Sequence, residues 1–148
     1  MKVSLGMFTV FEALQKDLAQ TIKRVAELGY DGIEMYGEIP CPAKELRSIL
    51  EENGVEISGW HVEWCHLQPN TIEETLAYHK VLGTPYLIIP ALGGPWNIGH
   101  TQAEDCAEVW HRHAQEINRV IERAEKEGFS VGYHTHAHEF ENCYENAE

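Results

Sequence analysis

Apolar and polar positions along the chain repeat one theme. An amphipathic stretch at helical spacing, a glycine, and then a short apolar run recur four times, at Leu28–Gly29, Asn53–Gly54, Leu82–Gly83 and Glu127–Gly128. A glycine just past a helix takes the left-handed conformation that ends it without a Cβ penalty. Ahead of the first stop, Lys2–Val10 is a β-favouring run that predicts a first strand, and Asp17 is placed to cap a helix bearing Leu18, Ile22, Val25 and Ala26. Tyr30–Tyr36 reads as the second strand. Pro42 suits position N1 of the next helix, whose stripe is Leu46, Ile49 and Leu50. Val55–Val62 is the third strand. Thr71 and Glu74 have the spacing of a capping box before a helix through Leu76 and Leu82, and Tyr86–Leu92 is the fourth and most apolar strand. A loop, Gly93–Gly99, leads to a second capping pattern, Thr101 with Glu104. The longest helix follows, with Ala107, Trp110, Ala114, Ile117, Ile121 and Ala124 on one face, and Phe129–His136 is the fifth strand.

Regular β-α alternation with short helix-to-strand connections implies right-handed crossovers and a parallel sheet. No linker or low-complexity tract divides the chain, so one α/β unit is expected. An open, doubly wound sheet for nucleotides would want a glycine-rich turn after its first strand. Met7–Gln15 has none, and no G-x-G-x-x-G or G-K-[ST] occurs in the sequence. Polar residues gather instead at the carboxyl ends of the expected strands: Glu34, then His61 and Glu63, then His134, His136 and Glu139. Chemistry on several strand ends at one face is the habit of the TIM-type (β/α) barrel, which takes about 250 residues. The 148 residues here provide about five of its eight strands. The expected fold is therefore an incomplete parallel (β/α) barrel, residues 1–148 being its N-terminal portion.

The formal charge of −13 argues against a nucleic-acid or anionic-membrane surface. The four cysteines, Cys41, Cys65, Cys106 and Cys143, make no C-x-x-C pair or zinc-ribbon spacing. With no signal-like start at Met1–Val10, they read as reduced thiols of a cytoplasmic protein. No apolar run approaches the roughly 20 residues that span a bilayer.

The densest chemistry lies in Val131–Phe140 (VGYHTHAHEF). In an extended chain His134 and His136 share a face, and neutral imidazole suits divalent Mn, Co or Zn. Glu139 follows as a possible ligand, base or sugar hydrogen-bond partner. Glu34 shares a strand face with Gly32, and His61 shares one with Gly59 and Glu63, opposite Trp60 and Val62. Packing is the expected role of Trp60, Trp64 and Trp96. His66, His79, His100, His111 and His113 read as surface histidines. The runs Gly29–Glu34 (GYDGIE), Ser58–His61 (SGWH) and Gly132–Phe140 (GYHTHAHEF) together resemble the sugar phosphate isomerase/epimerase family of xylose-isomerase-like TIM barrels, with Thr135 in place of the usual asparagine. That resemblance implies an isomerase or epimerase acting by proton transfer α to a carbonyl on a sugar, sugar phosphate or polyol. It implies a divalent metal (Mn, Co, Zn or Mg), metal-side roles for His134, His136 and Glu139, and catalytic roles for Glu34, His61 and Glu139. The superfamily also includes endonuclease IV, so a DNA-repair hydrolase is the alternative. A non-catalytic fragment associating through its open first and fifth strands is a third reading.

Overall fold

All four helix-ending glycines take the left-handed conformation: φ is 90° at Gly29, 65° at Gly54, 73° at Gly83 and 89° at Gly128. A computed structural model describes residues 1–92 and 107–141. Its strands are β1 (Ser4–Gly6), β2 (Gly32–Tyr36), β3 (Glu56–His61), β4 (Tyr86–Ile89) and β5 (Ser130–Tyr133). Its helices are α1 (Phe11–Lys16), α2 (Leu18–Glu27), α3 (Ala43–Asn53), α4 (Ile72–Leu82), α5 (Ala107–Glu125) and the short α6 (His138–Glu141). The strands form one sheet in the order β1-β2-β3-β4-β5, every pair parallel. Neighbours in sequence are thus neighbours in space. This is the winding of a rolling barrel, not the reversed order of a doubly wound sheet. Among the described residues five of the eight strands of a TIM barrel are present, and the barrel is incomplete.

One face of the sheet carries the core. Ile33 and Met35 from β2, Trp60 from β3, and Leu87 and Ile89 from β4 are buried with Ile22, Val25, Leu46, Leu50, Leu76 and Leu82 from the helices. Asp17 caps α2 as expected, its Oδ1 accepting the Gln20 N–H at 2.9 Å. Between α4 and α5, Arg123 forms a fork on Glu73 (Nε–Oε1 2.6 Å, Nη2–Oε2 2.5 Å), and Lys80 meets Glu127 at 2.6 Å. A bulge in β3 interrupts the pairing with β2: Ile33 faces Ile57 but Glu34 faces Gly59, leaving Ser58 over. The Ser58 hydroxyl donates to the Ile33 carbonyl at 3.1 Å and holds the bulge in place.

Several local expectations are corrected. Of Lys2–Val10 only Ser4–Gly6 is strand, because β1 has three residues of β2 to pair with. Met7–Val10 then turns as a 3-10 helix that sinks Met7 into the core, and α1 follows, a helix not read from the sequence. Pro42 is the N-cap of α3 rather than N1. Thr71 caps α4 without a capping box; its hydroxyl donates to the Cys65 carbonyl at 2.7 Å instead of accepting a helix N–H. β4 ends at Ile89, before Pro90, whose nitrogen has no hydrogen for a ladder bond. β5 ends with it, at Tyr133, and the last bond of the pair is His134 N–H to the Ile89 carbonyl at 2.9 Å. On α5 the buried positions are Val120 and Ala124, while Ala114 is exposed. The Gly93–Gly99 loop with Trp96, His100, the Thr101–Glu104 pattern, Cys106 and Cys143 lie outside the described residues. No helix among those described is long and apolar enough to cross a membrane.

Candidate active site

At the carboxyl ends of the central strands, the sheet face opposite the core turns polar. Glu34 leaves β2 between the buried Ile33 and Met35, and His61 leaves β3 one residue past the buried Trp60. Their side chains meet: His61 Nε2 lies 3.1 Å from Glu34 Oε1. A carboxylate only accepts, so this contact calls for the Nε2–H tautomer and leaves the lone pair on Nδ1. Gly59 lies beside the pair. A Cβ there would crowd Ile88 Cδ1 at 3.2 Å and come into ordinary contact with Glu34 Oε2 at 3.7 Å.

His61 is nearly buried, at 9% exposure. Burial, above all, holds its pKa below the ordinary imidazole value; Glu34 pulls it partly back up, and His134 and His136 press it down again. The ring is therefore neutral at neutral pH, the form in which Nδ1 can take a proton. Tyr36, which ends β2, stands 6.0 Å from the His61 ring, and Phe8 stands 5.1 Å from Tyr36. Neither aromatic was picked out from the sequence. Their signal was positional: each sits at or just past the carboxyl end of a strand.

The histidines of the last strand arrive by a different route from the one expected. His134 and His136 lie beyond β5 and are not part of a buried strand face; His134 is exposed and His136 half-buried. The loop still brings their rings together at 4.8 Å, and it sets His134 at 5.1 Å from His61. Glu139, within α6, turns back toward its own loop. Its Oε1 accepts the Tyr133 hydroxyl at 2.9 Å, and its Oε2 accepts the His136 N–H at 2.6 Å. That pins the His136 turn in the manner of a helix cap.

Among the described residues no group of three or more His, Cys, Asp or Glu side chains is arranged to hold a metal ion. Imidazole and carboxylate are suitable donor types, but the residues present do not make a metal site by themselves, and Glu139 already serves two local donors. His79 also departs from expectation. It is not a surface residue but lies in the core at 1% exposure, edge-on to Trp60 (5.0 Å) and Tyr78 (5.5 Å), with Nδ1 3.2 Å from the Thr84 hydroxyl. Burial lowers its pKa to about 4.

The model of the xylose isomerase-like TIM barrel family matches residues 22–148. The chain belongs to that family. Solved structures agree on the fold. A sugar phosphate isomerase/epimerase from Parabacteroides distasonis superposes with a TM-score of 0.67 at 18% identity, covering 92% of this chain and 51% of the other. The IOLI protein, described with a binding zinc atom, gives 0.62 at 15% identity over 90% of this chain and 51% of the other. An AP endonuclease of family 2 from Brucella melitensis gives 0.64 at 14%, over 90% and 55%. The chain thus spans about half the length of these structures. A search of curated proteins finds no match to it.

Proposed function

We propose that this chain forms one wall of the active site of a sugar or polyol isomerase or epimerase working by proton transfer α to a carbonyl. The observation that carries the reading is the Glu34–His61 pair, a neutral imidazole held by a carboxylate at the mouth of the barrel. In this scheme His61 Nδ1 takes the proton from the carbon beside the carbonyl, the C–H electron pair passing to the carbonyl oxygen as the enediolate, and the imidazolium then returns a proton to carbon as the carbonyl re-forms. Glu34 fixes the ring through Nε2–H and steadies the imidazolium that forms. His134 borders the same space and offers a hydrogen bond to a substrate oxygen. Supporting the reading are the family membership and a named sugar phosphate isomerase/epimerase among the structural neighbours. A bound divalent metal would supply charge to steady the enediolate oxygen, and the zinc-bound neighbour makes zinc the first ion to try. The residues present do not complete a site for it, and no step above depends on it. A nuclease reading has a structural neighbour too, but the net charge of −13 favours the small neutral substrate over DNA.

The test is isotope wash-in. A ketohexose is incubated with the protein in D2O, with and without Zn²⁺, and loss of the α C–H signal is followed by proton NMR. Exchange is expected, and His61→Asn and Glu34→Gln are each expected to slow it by about a hundredfold. Exchange that survives His61→Asn unchanged, or a folded protein that catalyses none, overturns the assignment.

A further inference from the structure

His61 is held to β2 by more than the contact of its ring with Glu34. The bulge at Ser58 breaks the β2–β3 ladder, which then resumes only for Glu34 with Gly59, Met35 with Trp60 and Tyr36 with His61. So short a run past a bulge has little ladder of its own to fix its direction. Just beyond it, Gly37 closes the run twice over. Its N–H donates to the His61 carbonyl at 3.1 Å, and its own carbonyl accepts the Trp60 indole N–H at 3.0 Å. Gly37 has φ of 75°, a left-handed turn that glycine takes without strain. The indole is not free to swing away from this bond. Trp60 is 1% exposed and is met edge-on by two side chains of α4, Tyr78 at 5.9 Å and His79 at 5.0 Å. A side chain fixed in the core thus ends on the residue whose N–H holds His61.

We propose that Trp60 is a positioning residue for His61: its indole N–H fixes Gly37, and the Gly37 N–H fixes the end of β3 from which His61 reaches Glu34. The inference rests on the proton-transfer reading above for its effect on rate, while its geometry stands without that reading. Both bonds leave one α-carbon that has no side chain to restrain it. Releasing the Gly37 carbonyl lets that permissive backbone relax and slackens the N–H bond to His61. The Glu34–His61 contact has little tolerance for such a shift. At 3.1 Å it lies at the long end of the range for an N–H donor on oxygen, where further stretching or bending weakens it steeply. Positioning of this kind matters at a reacting group, since a small misplacement there is felt more in rate than in stability. Tyr78 supplies the comparison within the same segment, residues 37–42. Its hydroxyl donates to the Cys41 carbonyl at 3.0 Å, a second aromatic donor on a loop carbonyl, but at the end away from His61. If such bonds served only to satisfy polar atoms, the two would matter alike.

The experiment puts benzothienylalanine, which keeps the bicyclic ring but lacks its N–H, in place of Trp60, and compares it with Tyr78→Phe. Isotope-labelled histidine reports the hydrogen-bonded Nε2–H of His61 by NMR, assigned by its absence from His61→Asn. Exchange of the ketohexose α-proton in D2O is measured over a range of substrate concentrations, and melting is recorded for each protein. Removing the indole N–H is expected to broaden or abolish the His61 signal and to lower kcat for exchange about tenfold, with KM within about twofold of the wild type. Tyr78→Phe is expected to keep both signal and kcat. Gly37→Ala, which strains the left-handed turn without meeting any neighbouring atom, should reproduce the loss. Gly37→Asn, which tolerates that conformation, should recover most of it. An unchanged His61 signal in the benzothienylalanine protein overturns the proposal, as does a wild type that lacks the signal. Equal losses in Tyr78→Phe also overturn it and assign both bonds to the stability of the fold. A wild type that exchanges no α-proton, yet loses the His61 signal with the indole N–H, fails the proton-transfer reading alone. Exchange that needs His61 but not the indole N–H fails the positioning role alone.

Discussion

His79 and His61 lie in the same domain, both shielded from water and both with pKa values lowered chiefly by burial, but on opposite sides of the sheet. His79 belongs to α4 and is enclosed by Trp60, Tyr78 and a threonine hydroxyl. Among the described residues nothing charged partners it, and its role is to fill space. His61 is one residue along β3 from Trp60 and so points the other way, toward Glu34, His134 and Tyr36. The alternation of a strand separates the two environments by a single residue step. A lowered imidazole pKa alone is therefore no mark of a site. What distinguishes His61 is a carboxylate to orient it and two further imidazoles, of His134 and His136, that act on it.

That contrast can be broken in three ways. Trp60→Ala removes the partition between the two sides and the edge contact to His79; a loss of about 3–5 kcal/mol is expected from urea unfolding. Tyr86→Ala, on the open face beside Gly59 and 54% exposed, should change stability by less than about 0.5 kcal/mol. Equal losses would mean that the two faces are equally packed. The second prediction concerns acid. In the folded protein His79 titrates at about 4, below the 6.5 of an open imidazole, so the unfolded chain binds the proton first. Stability from this group is full above 6.5 and falls as pH drops toward 4, by roughly 3 kcal/mol in all. Denaturation curves between pH 7.5 and 4 should show the slope in the wild type and a shallower one in His79→Phe. The third prediction concerns Tyr133→Phe. Its hydroxyl receives the Leu92 N–H at 2.9 Å and donates to Glu139, tying the histidine loop to the end of β4. Loss of about 1–2 kcal/mol is expected, with faster amide exchange at Leu92 and His136.

The architecture was legible because local rules and tertiary packing agree. Four glycines at C′, an aspartate cap and period-2 strands require no distant partner to be read, and all appear in the structure. The Glu34–His61 pairing was half legible: parity put each side chain on the polar face, while their contact depends on a bulge at Ser58 that no periodicity announces. Strand length was misjudged at β5 because it is set by the partner. Pro90 stops β4, and β5 stops opposite it. That proline was a usable signal. His79 also had one, since it continues the helical stripe of Ile72, Leu76 and Leu82. Reading histidine as polar, rather than by its position in the stripe, hid it. Glu139 had a role that its spacing from the histidines does not announce: its Oε2 accepts the His136 N–H and caps its own loop.

The consecutive strand order has a consequence for how the molecule is made. Every strand after the first pairs with the one synthesised just before it, and α3 packs between α2 and α4 in the same sequence. As the chain leaves the ribosome, each new unit therefore meets a template that already exists, and none waits for a distant segment. Among the described residues the pairing of β5 with β4 is then the last part of the sheet to be laid down.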